Sequence, residues 1–202
     1  SVAVTGVQTC ALPIYAKKGF LAIAPNLFER QGDVTKIKEI PDILKVVSQA
    51  STNQVMGDLD HVVEFVKTKG IGNVDHVHVT GFCWGGRTAW MYAVHNPKIK
   101  SAIAWYGPLV GTDPLHPKAP VDIAAELKVP VLGLYGGADK HITKEHLEQM
   151  KEALKKARNT SSEIIMLPDA EHGFNADYRP SYNEKASKEA TEHMFVWIKK
   201  HN

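Results

Sequence analysis

The chain has 202 residues, 44% of them hydrophobic and 23% charged, with a formal net charge of +2. This composition suits one globular domain, and no Lys/Arg run tracks phosphates, so no nucleic acid partner is expected. No stretch approaches the roughly 18 consecutive apolar residues of a spanning helix, so no membrane partner is expected, and two cysteines do not make a disulfide framework.

The N-terminal stretch stands apart. Val4–Ile14, "VTGVQTCALPI", coincides with the translation of a widely used short-read sequencing primer, although "SVAV" alone would suit a divergent first strand. The match in one reading frame makes residues 1–14 an expected non-native segment, to be set aside from fold reasoning. Native sequence is then expected from about Tyr15, with the true N-terminal part missing. Cys10 would carry no biology, and Cys83 would be the one native cysteine. No twin-arginine or charged-then-apolar leader is present, so the expected compartment is the cytoplasm, a signal peptide in the lost part aside.

From residue 16 strands and helices alternate. "GFLAIAP" (19–25) is a short apolar run that predicts a buried strand. Residues 36–50 and 52–69 carry helical spacing, with Leu59, Val62, Val63 and Val66 on one face and Gly70 as a stop. "VDHVHVT" (74–80) predicts a strand, 87–95 a helix and "KSAIAWYG" (100–107) a strand. A Pro-rich loop (108–120) precedes the strand "VPVLGLYGG" (129–137). Helix 143–158, strand "SEIIMLP" (162–168) and a helix over about 183–200 complete the chain. This alternation predicts a single α/β domain over 15–202, a mostly parallel sheet flanked by helices.

Within that order, "GFCWGG" (81–86) joins a strand to a helix. It is the setting of a nucleophile elbow, with Cys83 where a Ser usually stands. The turn is strained, so Gly81 and Gly85 are expected to be small for the close passage of strand and helix. The helix N-terminus offers unpaired N–H groups and the positive end of a dipole, which favour a thiolate. The backbone N–H of Trp84 is the expected oxyanion donor. The plain alternative is a buried structural cysteine.

A nucleophile needs a base and the base an orienter, in the chain order nucleophile, acid, histidine. Asp139 ends the strand "VLGLYGGAD", and His172 lies in the loop after the last strand. Both fall on the sheet edge that carries the elbow. Asp169 is the rival acid, expected rather to shape the His172 loop, and Asp113 is weaker. The remaining histidines read as background. His76 and His78 share a strand face without a third ligand of sensible spacing, so no metal is expected. His141 and His146 flank a helix start and read as solvated. His61, His95, His193 and His201 fit helix surfaces, and His116 sits in the Pro-rich loop.

Taken together, "PNLFERQGD", "GFCWGGR", "LYGGAD" and "EHGFNADYRPSYN" resemble, in this order, the dienelactone hydrolase family of the α/β-hydrolase fold. The resemblance runs from about residue 16 to the C-terminus. It implies a Cys–His–Asp triad at Cys83, His172 and Asp139. It also implies hydrolysis of a small ester or lactone through a thioester acyl-enzyme, with no cofactor. The family holds a substrate carboxylate with arginines, whose planar fork suits that task. Arg30, in "FERQ", falls on one such position. At the other, four residues after the histidine, this chain has Ala176, and Arg179 is the expected substitute; a loop-fixing role is its alternative. The family's "HEIFG"-like loop, with a second oxyanion donor and a Glu, has no counterpart here, so the N-terminal strands are expected to be lacking.

Two other classes compete with the hydrolase. A peroxide-sensing thiol would lack a native resolving cysteine, and a non-catalytic ligand-binding member of the fold would not need the Cys/Asp/His order. The expected partner is the small substrate alone, and the oligomeric state is not legible.

Overall fold

A computed structural model describes the backbone of Val2–Ala3 and residues 12–202. Four parallel strands form its centre: β3 (His78–Phe82), β4 (Ser101–Trp105), β5 (Val131–Gly136) and β6 (Glu163–Leu167), in the order β3-β4-β5-β6. The register pairs Gly81 with Ala104, Ala104 with Gly133, and Gly133 with Ile164. Beside them, β1 (Val2–Ala3) pairs in parallel with β2 (Leu21–Ala22) and lies next to β3. Val2–Ala3 therefore run along β2, which is two residues long where a buried strand over 19–25 was expected, and Leu21 and Ala22 are only half-buried. Gln8, Thr9 and Cys10 lie outside the described residues.

Strands β4 and β5 are buried on both faces, as parallel strands between helical layers must be. Ala102, Ala104, Val131 and Tyr135 pack with α3 (Thr52–Lys69), α4 (Trp84–His95) and α5 (Lys144–Lys156). Ile103, Trp105, Leu132 and Leu134 face α6 (Glu184–Lys200), with Met194, Trp197 and Ile198, and Tyr15 of α1 (Leu12–Ala16). Small residues on the first face admit Trp90, whose Nε1–H reaches the Tyr135 hydroxyl at 3.0 Å. That hydroxyl donates in turn to the Gly107 carbonyl at 3.1 Å.

The helices follow their local signals. The Ser51 side chain caps α3 by accepting from the Gln54 N–H, and Gly70 at φ 62° ends it in the left-handed region. The window expected as one helix over 36–50 forms a 3₁₀ turn at Val34–Lys36 and then α2 (Ile40–Val47). Pro41 sits at the first turn of α2, where a missing N–H costs nothing.

One boundary differs in a way that matters. The strand expected over 74–80 runs instead from His78 to Phe82, because Asn73 Oδ1 accepts the Asp75 N–H and bends the chain through 73–76. His76 therefore lies before the strand and not on a shared face with His78. It bonds Asn202 at 2.8 Å, while buried His78 bonds the Ser101 hydroxyl at 2.8 Å. Burial pushes the His78 imidazole down to about 4. Among the described residues no group of three or more His, Cys, Asp or Glu could hold a metal ion, and no helix is long and apolar enough to cross a membrane.

Two glycines separate close packing from wasted flexibility. A Cβ on Gly86 would lie 2.6 Å from the Trp105 carbonyl oxygen, whereas one on Gly57, inside α3, meets nothing within 4 Å. Gly86→Ala should cost about 1–3 kcal/mol or more through backbone displacement, and Gly57→Ala should gain roughly 0.5–1 kcal/mol. Urea denaturation of the two variants reads both signs.

Candidate active site

The site is built on the strand–turn–helix at 81–86. Cys83 has φ 55° and ψ −118°, a backbone region that ordinary residues avoid, and it is the N-cap of α4. Three contacts hold it there. Its N–H donates to the Trp105 carbonyl at 2.9 Å, and its own carbonyl accepts from Gly86 at 2.8 Å and Arg87 at 3.2 Å. The closest approach beneath the turn involves Gly86 and Gly107: a Cβ on Gly107 would lie 2.4 Å from the Arg87 nitrogen. The helix begins at Trp84, three residues before the expected start at Arg87. The turn is thus the first turn of the helix, and its dipole points at the thiol.

His172 brings two elements to Cys83. Its Nε2 lies 3.2 Å from the Cys83 sulfur, and its Nδ1 lies 2.8 Å from Asp139 Oδ2. Asp139 is fully committed: Oδ1 accepts the N–H groups of His141 at 2.7 Å and Ile142 at 3.0 Å. The Asp139 side chain is 0% exposed and that of His172 17%. Asp169, the rival acid, is exposed, and its carbonyl accepts from Asn183. Asp113 pairs with His116 instead.

The electrostatics follow from these distances. Burial would lift the Cys83 thiol, but the hydrogen bond and charge of His172 outweigh it, helped by the Trp84 N–H and the Arg179 charge, and the thiol is lowered. Burial would lower His172, but its bonds to Asp139 and Cys83 outweigh that and raise it to about 9. For Asp139 burial is again outweighed, here by His172 and the amides of Ile142 and His141, and the carboxyl is held below its ordinary value. The shifts of Cys83 and His172 thus support each other, each group favouring the charged form of its neighbour, with the Asp139 carboxylate behind.

The two arginines part company. Arg179 lies against Gly173, next to His172, and its charge reaches Cys83. Arg30 is mostly exposed and its guanidinium is bonded to Asp58 of α3. Nearby, the Trp84 indole packs between Phe28 at 5.2 Å and His116 at 6.4 Å. His116 is more than loop background. It is buried, pairs with Asp113 at 2.9 Å, and its Nε2 lies 3.0 Å from the Ala50 carbonyl, tying the 108–120 loop to the α2–α3 junction. His95 is likewise paired, with Asp60 at 2.7 Å.

Two residues that the sequence reading did not assign to the site meet His172. The Tyr106 ring meets that of His172 at 5.2 Å and the His141 ring meets it at 5.4 Å. An aromatic residue just before a glycine at the C-terminal end of a strand was the available signal for Tyr106. His141 is exposed, as expected for a solvated residue, but it is not idle.

A doubly covered parallel sheet with a cysteine elbow, a histidine and an aspartate at its C-terminal edge defines an α/β-hydrolase fold. Comparisons narrow this. The dienelactone hydrolase family model matches residues 6–202. A protein of Escherichia coli O157:H7, provisionally named carboxymethylenebutenolidase, is 49% identical over 188 residues, 92% of this chain and 69% of that protein. One of Salmonella typhimurium with the same provisional name is 49% identical over 185 residues, 91% of this chain and 68% of that protein. The crystal structure of a provisionally named dienelactone hydrolase from Klebsiella pneumoniae matches with TM-score 0.92 at 45% identity, covering 98% of this chain and 85% of that one. The chain belongs to the dienelactone hydrolase family.

Iodoacetamide labelling of Cys83 against pH should show an inflection below the ordinary thiol value of about 8.5. His172→Ala removes the largest stabilising partner and should move that inflection upward; an unmoved inflection would mean that the imidazole does not set the thiol.

Proposed function

We propose that the protein hydrolyses a small, carboxylate-bearing ester or lactone, with Cys83 as nucleophile, His172 as general acid and base, and Asp139 as the orienter of His172. The observation that carries this reading is the unbroken chain from Asp139 Oδ2 through His172 to the Cys83 sulfur. Its support from relatives is their provisional name, which denotes an enzyme acting on a carboxymethylene-substituted butenolide, a lactone bearing a carboxylate.

In this reading the Cys83 thiolate attacks the lactone carbonyl carbon. Charge develops on the carbonyl oxygen, and the Trp84 N–H at the start of α4 donates a hydrogen bond to it. The ring C–O bond breaks, His172 Nε2–H protonates the departing oxygen, and a thioester remains on Cys83. Water then attacks the thioester, His172 takes its proton, and the acid and thiolate are released. Asp139 keeps the imidazole in the tautomer that presents Nε2 and stabilises its charged form. Arg179 is the assigned holder of the substrate carboxylate, since its charge already reaches the nucleophile. Arg30 is assigned the second contact, for which it would have to exchange Asp58 for substrate. Residues 1–14 contribute no chemistry in this reading.

The kinetic test uses a carboxylated dienelactone and a neutral ester of similar size. Arg179→Ala should raise KM for the lactone about tenfold or more while sparing the neutral ester, the loss expected of one charge-assisted contact. Arg30→Ala should do the same; equal losses on both substrates would make either arginine structural. Asp139→Asn should lower kcat by roughly 10³–10⁴-fold.

The pH profile carries a second test. Activity requires thiolate and imidazolium together, so kcat/KM should fall at acid pH as the thiol gains its proton. It should fall again as His172 loses its proton near pH 9. Asp139→Asn deletes a partner that raises His172, so the residual activity should lose its alkaline limb at lower pH. An alkaline limb unchanged in that variant would contradict the assignment of Asp139.

A further inference from the structure

The two hydrogen bonds of the His172 ring are not equally durable. The Nδ1 partner, at 2.8 Å, is the Asp139 carboxylate, a group that the proposed acyl transfer leaves chemically unchanged. The Nε2 partner is the Cys83 sulfur, which ceases to be a charged acceptor once it carries an acyl group. A ring held at one nitrogen can swing, yet the hydrolytic half-reaction needs Nε2 in place to take a proton from water.

Two other rings meet the imidazole. Tyr106 approaches at 5.2 Å with planes at 64°, and His141 at 5.4 Å with planes at 77°, both edge-to-face arrangements. Tyr106 is buried and has φ 37°, a strained backbone for a residue with a side chain. Its N–H donates to Leu134 at 2.8 Å, Phe174 backs its ring at 5.2 Å, and the following Gly107 is locked against Gly86 and Arg87. His141 is exposed, but its N–H is bonded to Asp139 Oδ1, so its ring is presented from the same carboxylate that holds Nδ1.

We propose that Tyr106 and His141 are positioning residues that hold the His172 imidazole in place during hydrolysis of the Cys83 thioester, when Nε2 has lost the thiolate. This rests on the assignment of Cys83, His172 and Asp139 made above. During acyl transfer both nitrogens of His172 are engaged, so the ring contacts matter less. Their loss should therefore slow deacylation more than acylation, a division that general weakening of the fold would not produce.

Burst kinetics with p-nitrophenyl acetate separate the two steps: the fast phase of p-nitrophenolate release reports acylation and the slow phase deacylation. Intact mass of the acid-quenched enzyme reports the acetyl thioester. His141→Ala changes an exposed side chain and leaves the backbone N–H to Asp139 intact. It should slow the second phase about three- to tenfold, the scale of one aromatic contact, keep the first within about twofold, and raise the fraction of acetylated enzyme. His141→Phe restores the ring without its nitrogens and should recover the slow phase. The positioning role is overturned if His141→Ala leaves deacylation unchanged, slows both phases equally, or is not rescued by phenylalanine. A burst that survives in Cys83→Ala would defeat the underlying nucleophile assignment instead, so the two failures are told apart.

Discussion

A cysteine held at φ 55° on the first turn of a helix is the constraint from which the rest of this site follows. That conformation is unfavourable for any side chain and persists because its neighbours leave no alternative. The amide is bonded to the next strand, the carbonyl caps α4, and Gly86 and Gly107 let the two backbones pass at distances that exclude a Cβ. Trp105 supplies the carbonyl that receives the Cys83 amide, and Tyr106 follows it onto the His172 ring. The register of β3 on β4 thus sets the nucleophile and part of the histidine's surroundings with one set of contacts.

The charges extend that geometry. A half-buried thiol and a largely buried imidazole would each be neutral if alone, since burial disfavours both charged forms. Side by side, and with Asp139 behind, each becomes the other's solvent. Asp139 can be buried as an anion because three N–H donors meet it, two from its own loop and one from His172. Order along the chain therefore reflects need: the acid sits where its strand ends in a loop that curls back to present amides, and the histidine on the following strand's loop reaches it.

Much of this was legible in the sequence, and the failures have physical reasons. Strands β4, β5 and β6 were found within one or two residues at each end because apolar runs bounded by turn residues mark buried parallel strands. Gly70 was legible as a stop because a left-handed C-cap favours glycine. Cys83, Asp139 and His172 were found from chain order and sheet edge, and they are brought together. The strand at 78–82 was misplaced because alternation in "VDHVHVT" extends back into a turn stabilised by Asn73, which periodicity cannot separate from strand. Contacts between distant elements left no local pattern: His116 to Ala50, Arg30 to Asp58, and His141 to His172 each pair residues from separate segments. Such contacts belong to tertiary structure, and only the fold discloses them.

In the proposed mechanism Cys83 takes the acyl group of the substrate. Rapid quenching of the enzyme with a carboxylated dienelactone into acid, followed by intact-mass and peptide-mass analysis, tests it directly. The expected result is an adduct equal in mass to the ring-opened acyl group, confined to the peptide that carries Cys83, appearing before steady state and absent from Cys83→Ala. An adduct on another residue, or lactone turnover by Cys83→Ala at the wild-type rate, would contradict it.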